Sequence, residues 1–120
     1  MATLTEGKRM AQFLVSEANG YRSRAKVTVD ATGGALEAGT LLGELDDGSA
    51  YVRYDPGAND GSETVAGILY EGIGAEEVER TIINNDAEVR ASDLTYEDAS
   101  GEPDKDTANA GLAALGIIVR

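Results

Sequence analysis

The chain has 120 residues, a net charge of −12 and neither cysteine nor histidine. That length fits one domain with one modest core. The missing cysteines exclude disulfides and thiolate metal sites, and the missing histidines remove the commonest general base and the commonest transition-metal ligand.

The charge is divided along the chain. Residues 1–26 hold five cations against two carboxylates, net +3, and residues 27–120 hold five cations against twenty carboxylates, net −15. So acidic a body repels phosphates, which argues against a nucleic-acid partner. No apolar run approaches the ~20 residues of a membrane span, and the first nine residues lack the apolar middle of a secretion signal. One phenylalanine and five tyrosines leave the core to Val, Ile, Leu and Ala, so it is thin and calls for oligomerisation or a partner.

Residues 1–12 are polar and without period, which suggests a segment mobile before binding or an ordinary frayed terminus. Phe13-Leu14-Val15 is the first apolar cluster, and Asn19-Gly20 marks a turn after it. Ala25–Val29 alternates as a strand, with Val27 and Val29 on one face. Thr32-Gly33-Gly34 breaks the chain. Leu36–Tyr54 reads as tight β-structure, with a hairpin turn at Asp46-Asp47-Gly48-Ser49, and 55–62 is a surface loop.

The near-continuous apolar run Val65–Tyr70 implies burial on both faces, at a trimer seam or within a small barrel. Gly67 inside it implies a bulge or a close backbone approach. Residues 72–79 read as an acidic loop with at most one helical turn. Thr81-Ile82-Ile83 and Ala87–Arg90 are short strands about Asn84-Asn85-Asp86, and Leu94 and Tyr96 close the β region. The period then changes. Pro103 suits a helix start, and Ala108, Leu112 and Leu115 share one face. Gly116 ends that helix, and Ile117-Ile118-Val119 forms a last strand.

Most chemical motifs fail on inspection. The 55–61 loop has Gly57 where a calcium loop needs its second ligand and Asp60 where it needs glycine. Glu76-Glu77-Val78-Glu79 is an acidic cluster better read as a solvated face than as a glycosidase pair. Leu36–Leu45 looks loosely like the barrel turns of biotinyl or lipoyl carriers, yet no lysine stands between Lys26 and Lys105 to be modified. The serines lack both a histidine and a Ser-x-x-Lys spacing. No cofactor or metal is expected. The best candidate is the basic N-terminal stretch around Phe13-Leu14-Val15. It could add an extended strand to a partner's sheet edge, or simply be the body's first strand.

Several segments together resemble the head decoration proteins of tailed bacteriophages. They are residues 13–24, Leu36-Glu37-Ala38-Gly39-Thr40, residues 60–70, Asp86-Ala87-Glu88-Val89, and residues 112–120. The resemblance implies a non-enzymatic, mainly β protein with a short C-terminal helix, a small barrel or tulip-like knob with an extended N-terminal arm. It implies a homotrimer on the outer surface of the expanded capsid at three-fold and quasi-three-fold sites, clamping major capsid protein subunits against the pressure of packed DNA.

The expected division is an arm over 1–24 and a β-rich domain over 25–120. Capsid contacts are expected from Phe13, Leu14, Val15, Tyr21, Arg22 and Arg24. Trimer contacts are expected from Val65, Ile68, Tyr70, Leu115 and Ile117. Two rival readings are an outer-capsid module for a host ligand or glycan, with an aromatic pocket near Tyr51, Tyr54 or Tyr96, and a small carboxylate-dependent hydrolase.

Overall fold

The computed structural model describes residues 13–17, 23–55, 58–95 and 105–120. Residues 1–12, the Asn19-Gly20 turn, Tyr21, Arg22, Tyr96 and Pro103 lie outside the described residues.

Among the described residues, eight strands and one α-helix follow in order: β1 (Leu14–Glu17), β2 (Arg24–Asp30), β3 (Leu41–Glu44), β4 (Tyr51–Arg53), β5 (Gly67–Leu69), β6 (Glu77–Ile83), β7 (Ala87–Val89), α1 (Lys105–Ala114) and β8 (Ile117–Val119). Five strands close a barrel in the order β2-β4-β3-β5-β6, and β6 returns to β2 along seven residue pairs from Arg24↔Ile83 to Asp30↔Glu77. The others form a three-stranded sheet, β1-β7-β8, with β1 antiparallel and β8 parallel to β7. The expectation of a mainly β fold with a small barrel and a short C-terminal helix is met.

Apolar doublets on three barrel strands explain how the two sheets join. Leu42, Leu69 and Ile82 enter one cluster with Val29, Ala31, Leu36 and Ile73. Their chain neighbours Leu41, Ile68 and Ile83 point the other way. They enter a second cluster with Phe13, Val89, Leu94, Leu112 and Ile117. Successive side chains of a strand face opposite sides, so a doublet is stable only where both sides are covered. The run at 65–70 is therefore a barrel strand, one of the two settings its pattern allowed. Gly67 does sit at a close approach, since a β-carbon there would lie 2.9 Å from Ile82 Cδ1.

Local turns are set by short polar side chains. Asp47 Oδ1 accepts from Ser49 N–H and Oγ–H at 2.9 and 2.7 Å, in the turn between β3 and β4. Asp30 does the same for Thr32, and Asp60 for Ser62. These hydrogen bonds hold all three aspartates below the usual carboxylate range. At the C-terminal end, Ala108 and Leu112 of α1 are fully buried, and Gly116 at φ +80° turns the chain into β8. One expectation is corrected. Residues 77–79 are not loop but the start of β6, where Val78 packs toward the barrel cluster and Glu77 and Glu79 face solvent. A single valine between glutamates was too little apolar signal to extend the strand from sequence.

Gly39 links barrel strand β5 to the segment that follows β7. Its N–H donates to Leu69 O at 2.8 Å, and its carbonyl accepts from Thr95 N at 2.9 Å. Its φ is +93°, and a β-carbon would lie 2.4 Å from Asp93 O. Gly39→Ala is expected to lose more than ~2 kcal/mol in urea unfolding. Gly33→Ala, with nothing within 4 Å, is expected to stay within ~0.5 kcal/mol of wild type.

Candidate binding face

The N-terminal strand is divided by its own alternation. Phe13 is fully buried in the cluster shared with α1 and β8. Leu14 packs half-buried against that cluster, whereas Val15 is 48% exposed and Ser16 faces solvent. A bulge between Leu14 and Ser16 shifts the register on β7. Across the sheet, Ser16 pairs with Glu88 and Glu88 with Ile118, which is 52% exposed. The outer face of the sheet thus presents Val15 and Ile118 on either side of Glu88. Arg120 donates to both Glu88 oxygens at 3.1 and 3.2 Å, holding the Glu88 carboxyl below its ordinary range.

A polar cluster ties β1 to the barrel. Glu17 accepts from Ser23 Oγ at 2.5 Å and from the Arg24 guanidinium. Arg24 stacks over the Tyr70 ring, 4.5 Å from its centroid. The Arg24 hydrogen bonds hold the Glu17 carboxyl below the usual glutamate range, against the opposing effect of burial. The guanidinium is correspondingly raised, chiefly by its Glu17 bond. Sequence reasoning missed Glu17 because its partners Ser23 and Arg24 lie six and seven residues on, a spacing that no regular period marks.

The expected site residues are therefore placed as follows. Phe13, Leu14 and Val15 lie together at the start of β1, with Val15 exposed, and Arg24 meets the other end of that strand through Glu17. For residues 13–17, the reading as the body's first strand describes the isolated chain. Val65, Ile68 and Ile117 are buried within the single chain, Tyr70 lies under Arg24, and Leu115 is half-buried beyond the helix end. The three buried residues have almost no surface left to give a partner. Ile118 was passed over, although the alternation of Ile117-Ile118-Val119 about a buried Ile117 points it outward.

Elsewhere, a shallow cleft of about 570 Å³ on the barrel is bordered by Asp30, Arg53, Asp55, Asp60 and Ser62. Asp30 and Asp60 are engaged there in their own turns. Among the described residues no group of three or more carboxylates is arranged to hold a metal ion. Tyr54 is buried at 2% exposure. Tyr51 is half-buried, its hydroxyl raised to about 12 by burial and by Glu44. These two rings do not form an exposed aromatic platform.

This compact β body with its anchored N-terminal strand has a counterpart among known families. Residues 3–117 match the family model of bacteriophage lambda head decoration protein D, and the chain belongs to that family. No curated protein matches the chain.

Two outcomes follow for the N-terminal edge. Phe13→Ala is expected to cost ~3–5 kcal/mol in chemical unfolding, and Val15→Ala less than ~0.5 kcal/mol. Glu17, with its lowered folded pKa, stabilises the fold above the ordinary glutamate range, and that contribution is lost as pH falls through the folded value. Glu17→Gln should therefore be ~1–2 kcal/mol less stable than wild type at neutral pH. The gap in melting temperature should close as both are taken below about pH 4.

Proposed function

We propose that this phage head decoration protein acts as a non-enzymatic cement. In this reading it binds the outer surface of the expanded head as a homotrimer at three-fold and quasi-three-fold sites, grips the major capsid protein, and braces the shell against packed DNA. The observation that carries the reading is the family match over residues 3–117. The geometry supports it, because β1 lies at an edge of the three-stranded sheet and Phe13, next in sequence to the N-terminal residues, anchors it in the core.

Residues 1–12, Tyr21 and Arg22 are then the docking segment, and Phe13, Leu14, Val15 and Arg24 are its footing. Ordering such a segment costs about 1–2 kcal/mol per residue. Apolar burial and main-chain pairing on the coat must exceed that cost, and three segments per trimer multiply the gain. The placement of Phe13 also decides how the docking segment should be removed. A deletion through residue 24 would strip β1 and a core aromatic, whereas a deletion of residues 1–12 leaves the body whole.

Co-sedimentation with expanded capsids tests the reading. The full chain should pellet with the shells, and the chain lacking residues 1–12 should bind at least tenfold more weakly with an unchanged melting temperature. Equal binding by both would refute the docking segment, and binding by neither would refute the role.

A further inference from the structure

The three-stranded sheet has two unlike open edges among the described residues. β1 pairs with β7 on one side, and β8 pairs with β7 on the other. Each edge strand carries one of the two exposed large hydrophobic residues, Val15 at 48% and Ile118 at 52%. On β8, Arg120 N–H donates to Val89 O at 2.9 Å and Arg120 O accepts from Ala91 N at 3.1 Å. Alternation therefore aims the backbone groups of Val119 at the open side. Beside that edge runs a groove of about 420 Å³ lined by Asn109, Ala113, Gly116, Ile117, Ile118 and Val119.

Charge selects what these edges can meet. The chain bears 22 carboxylates and a net −12, so two copies repel over most of their surface. The groove lining holds no charge. Glu17, the one charged residue of β1, is engaged by Arg24 and Ser23, and Glu88 between the edges is engaged by Arg120. The carboxylates of β1 and β7 are thus both engaged, so two copies meet less repulsion here than over the acidic barrel. Open strand edges are templates for further pairing, and cross-strand apolar pairs stabilise it.

We propose that the β8 edge and its groove receive the β1 edge of a second copy, with Ile118 of one chain beside Val15 of the next. The contact is heterologous, since each chain offers a different edge, and three such contacts make the closed ring that a trimer requires. The proposal rests on the trimeric reading above and names the surface through which three copies join.

Cysteine pairing tests it, because the chain has no thiol of its own. Val15 and Ile118 stand two strand spacings apart within a chain, about 10 Å. That exceeds the ~7 Å reach of a disulfide, so any link between them joins two copies. After mild oxidation, an equal mixture of V15C and I118C should give a covalent dimer containing one of each. The V15C/I118C double variant should give a covalent trimer with no free thiol.

No mixed dimer, or V15C linking chiefly to itself, would overturn the proposal. Sedimentation of the unmodified chain and its binding to capsids separate the two levels. Trimers on shells without the cross-link overturn this surface alone, and monomers both in solution and on shells overturn the trimeric reading with it.

Discussion

Everything in this fold depends on covering both sides of the barrel strands that carry apolar doublets. Leu41-Leu42, Ile68-Leu69 and Ile82-Ile83 each send one side chain into the barrel and the next out of it. A five-stranded barrel alone would leave Leu41, Ile68 and Ile83 in water. At about 1.5–3 kcal/mol for burying each such side chain, that exposure would remove most of the margin of a domain stable by ~5–15 kcal/mol. The three-stranded sheet and α1 supply the missing cover through Phe13, Val89, Leu112 and Ile117. Residues near both ends of the described chain thus belong to the core. Phe13 from the N-terminal end and Ile117 from the C-terminal end pack in one cluster.

This constraint shapes how a docking segment can be attached. A tail joined by a flexible linker would transmit little force to the body. Here the residues before Phe13 connect directly to a fully buried aromatic, and the Glu17–Arg24–Tyr70 cluster fastens the far end of the same strand to the barrel. Load applied to the N-terminal residues reaches the core through one strand with an anchor at each end. The two anchors differ in kind. Phe13 is held by apolar burial, which salt does not weaken, whereas the ion pair is partly exposed and is screened by salt.

Much of this was legible because it rests on local pattern. The helix over Lys105–Ala114 showed itself by Ala108 and Leu112, its end by Gly116, and the β3–β4 turn by Asp47-Gly48-Ser49. The barrel strand β5 was legible as an apolar run, but which surface covered its second side was not, because that depends on strands distant in sequence. The same limit applies to the trimer residues inferred from the 65–70 run. A residue buried by its own fold and a residue buried by a partner give one signal, and only the three-dimensional pairing of Ile68 with Ile83 and Leu41 separates them. Ile118 is the converse case. The sequence marks it only as part of a last strand, and alternation beside buried Ile117 turns it outward.

Charge placement completes the argument. Three of the ion pairs on the described residues lie on or beside the three-stranded sheet: Glu17–Arg24, Glu88–Arg120 and Arg90–Asp93. The exposed pairs Glu88–Arg120 and Arg90–Asp93 contribute little stability, about 0–1 kcal/mol each, so their consequence is electrostatic. They bring the sheet's surroundings close to neutral in a chain of net −12, while loop residues such as Asp46, Asp47, Asp55 and Asp60 leave the barrel surface acidic. A body so divided keeps its copies apart over the barrel and lets the sheet approach another surface. With a screening length of about 8 Å at physiological salt, that distinction operates only at near contact. The division of charge therefore chooses which faces touch and leaves the strength of the contact to apolar burial.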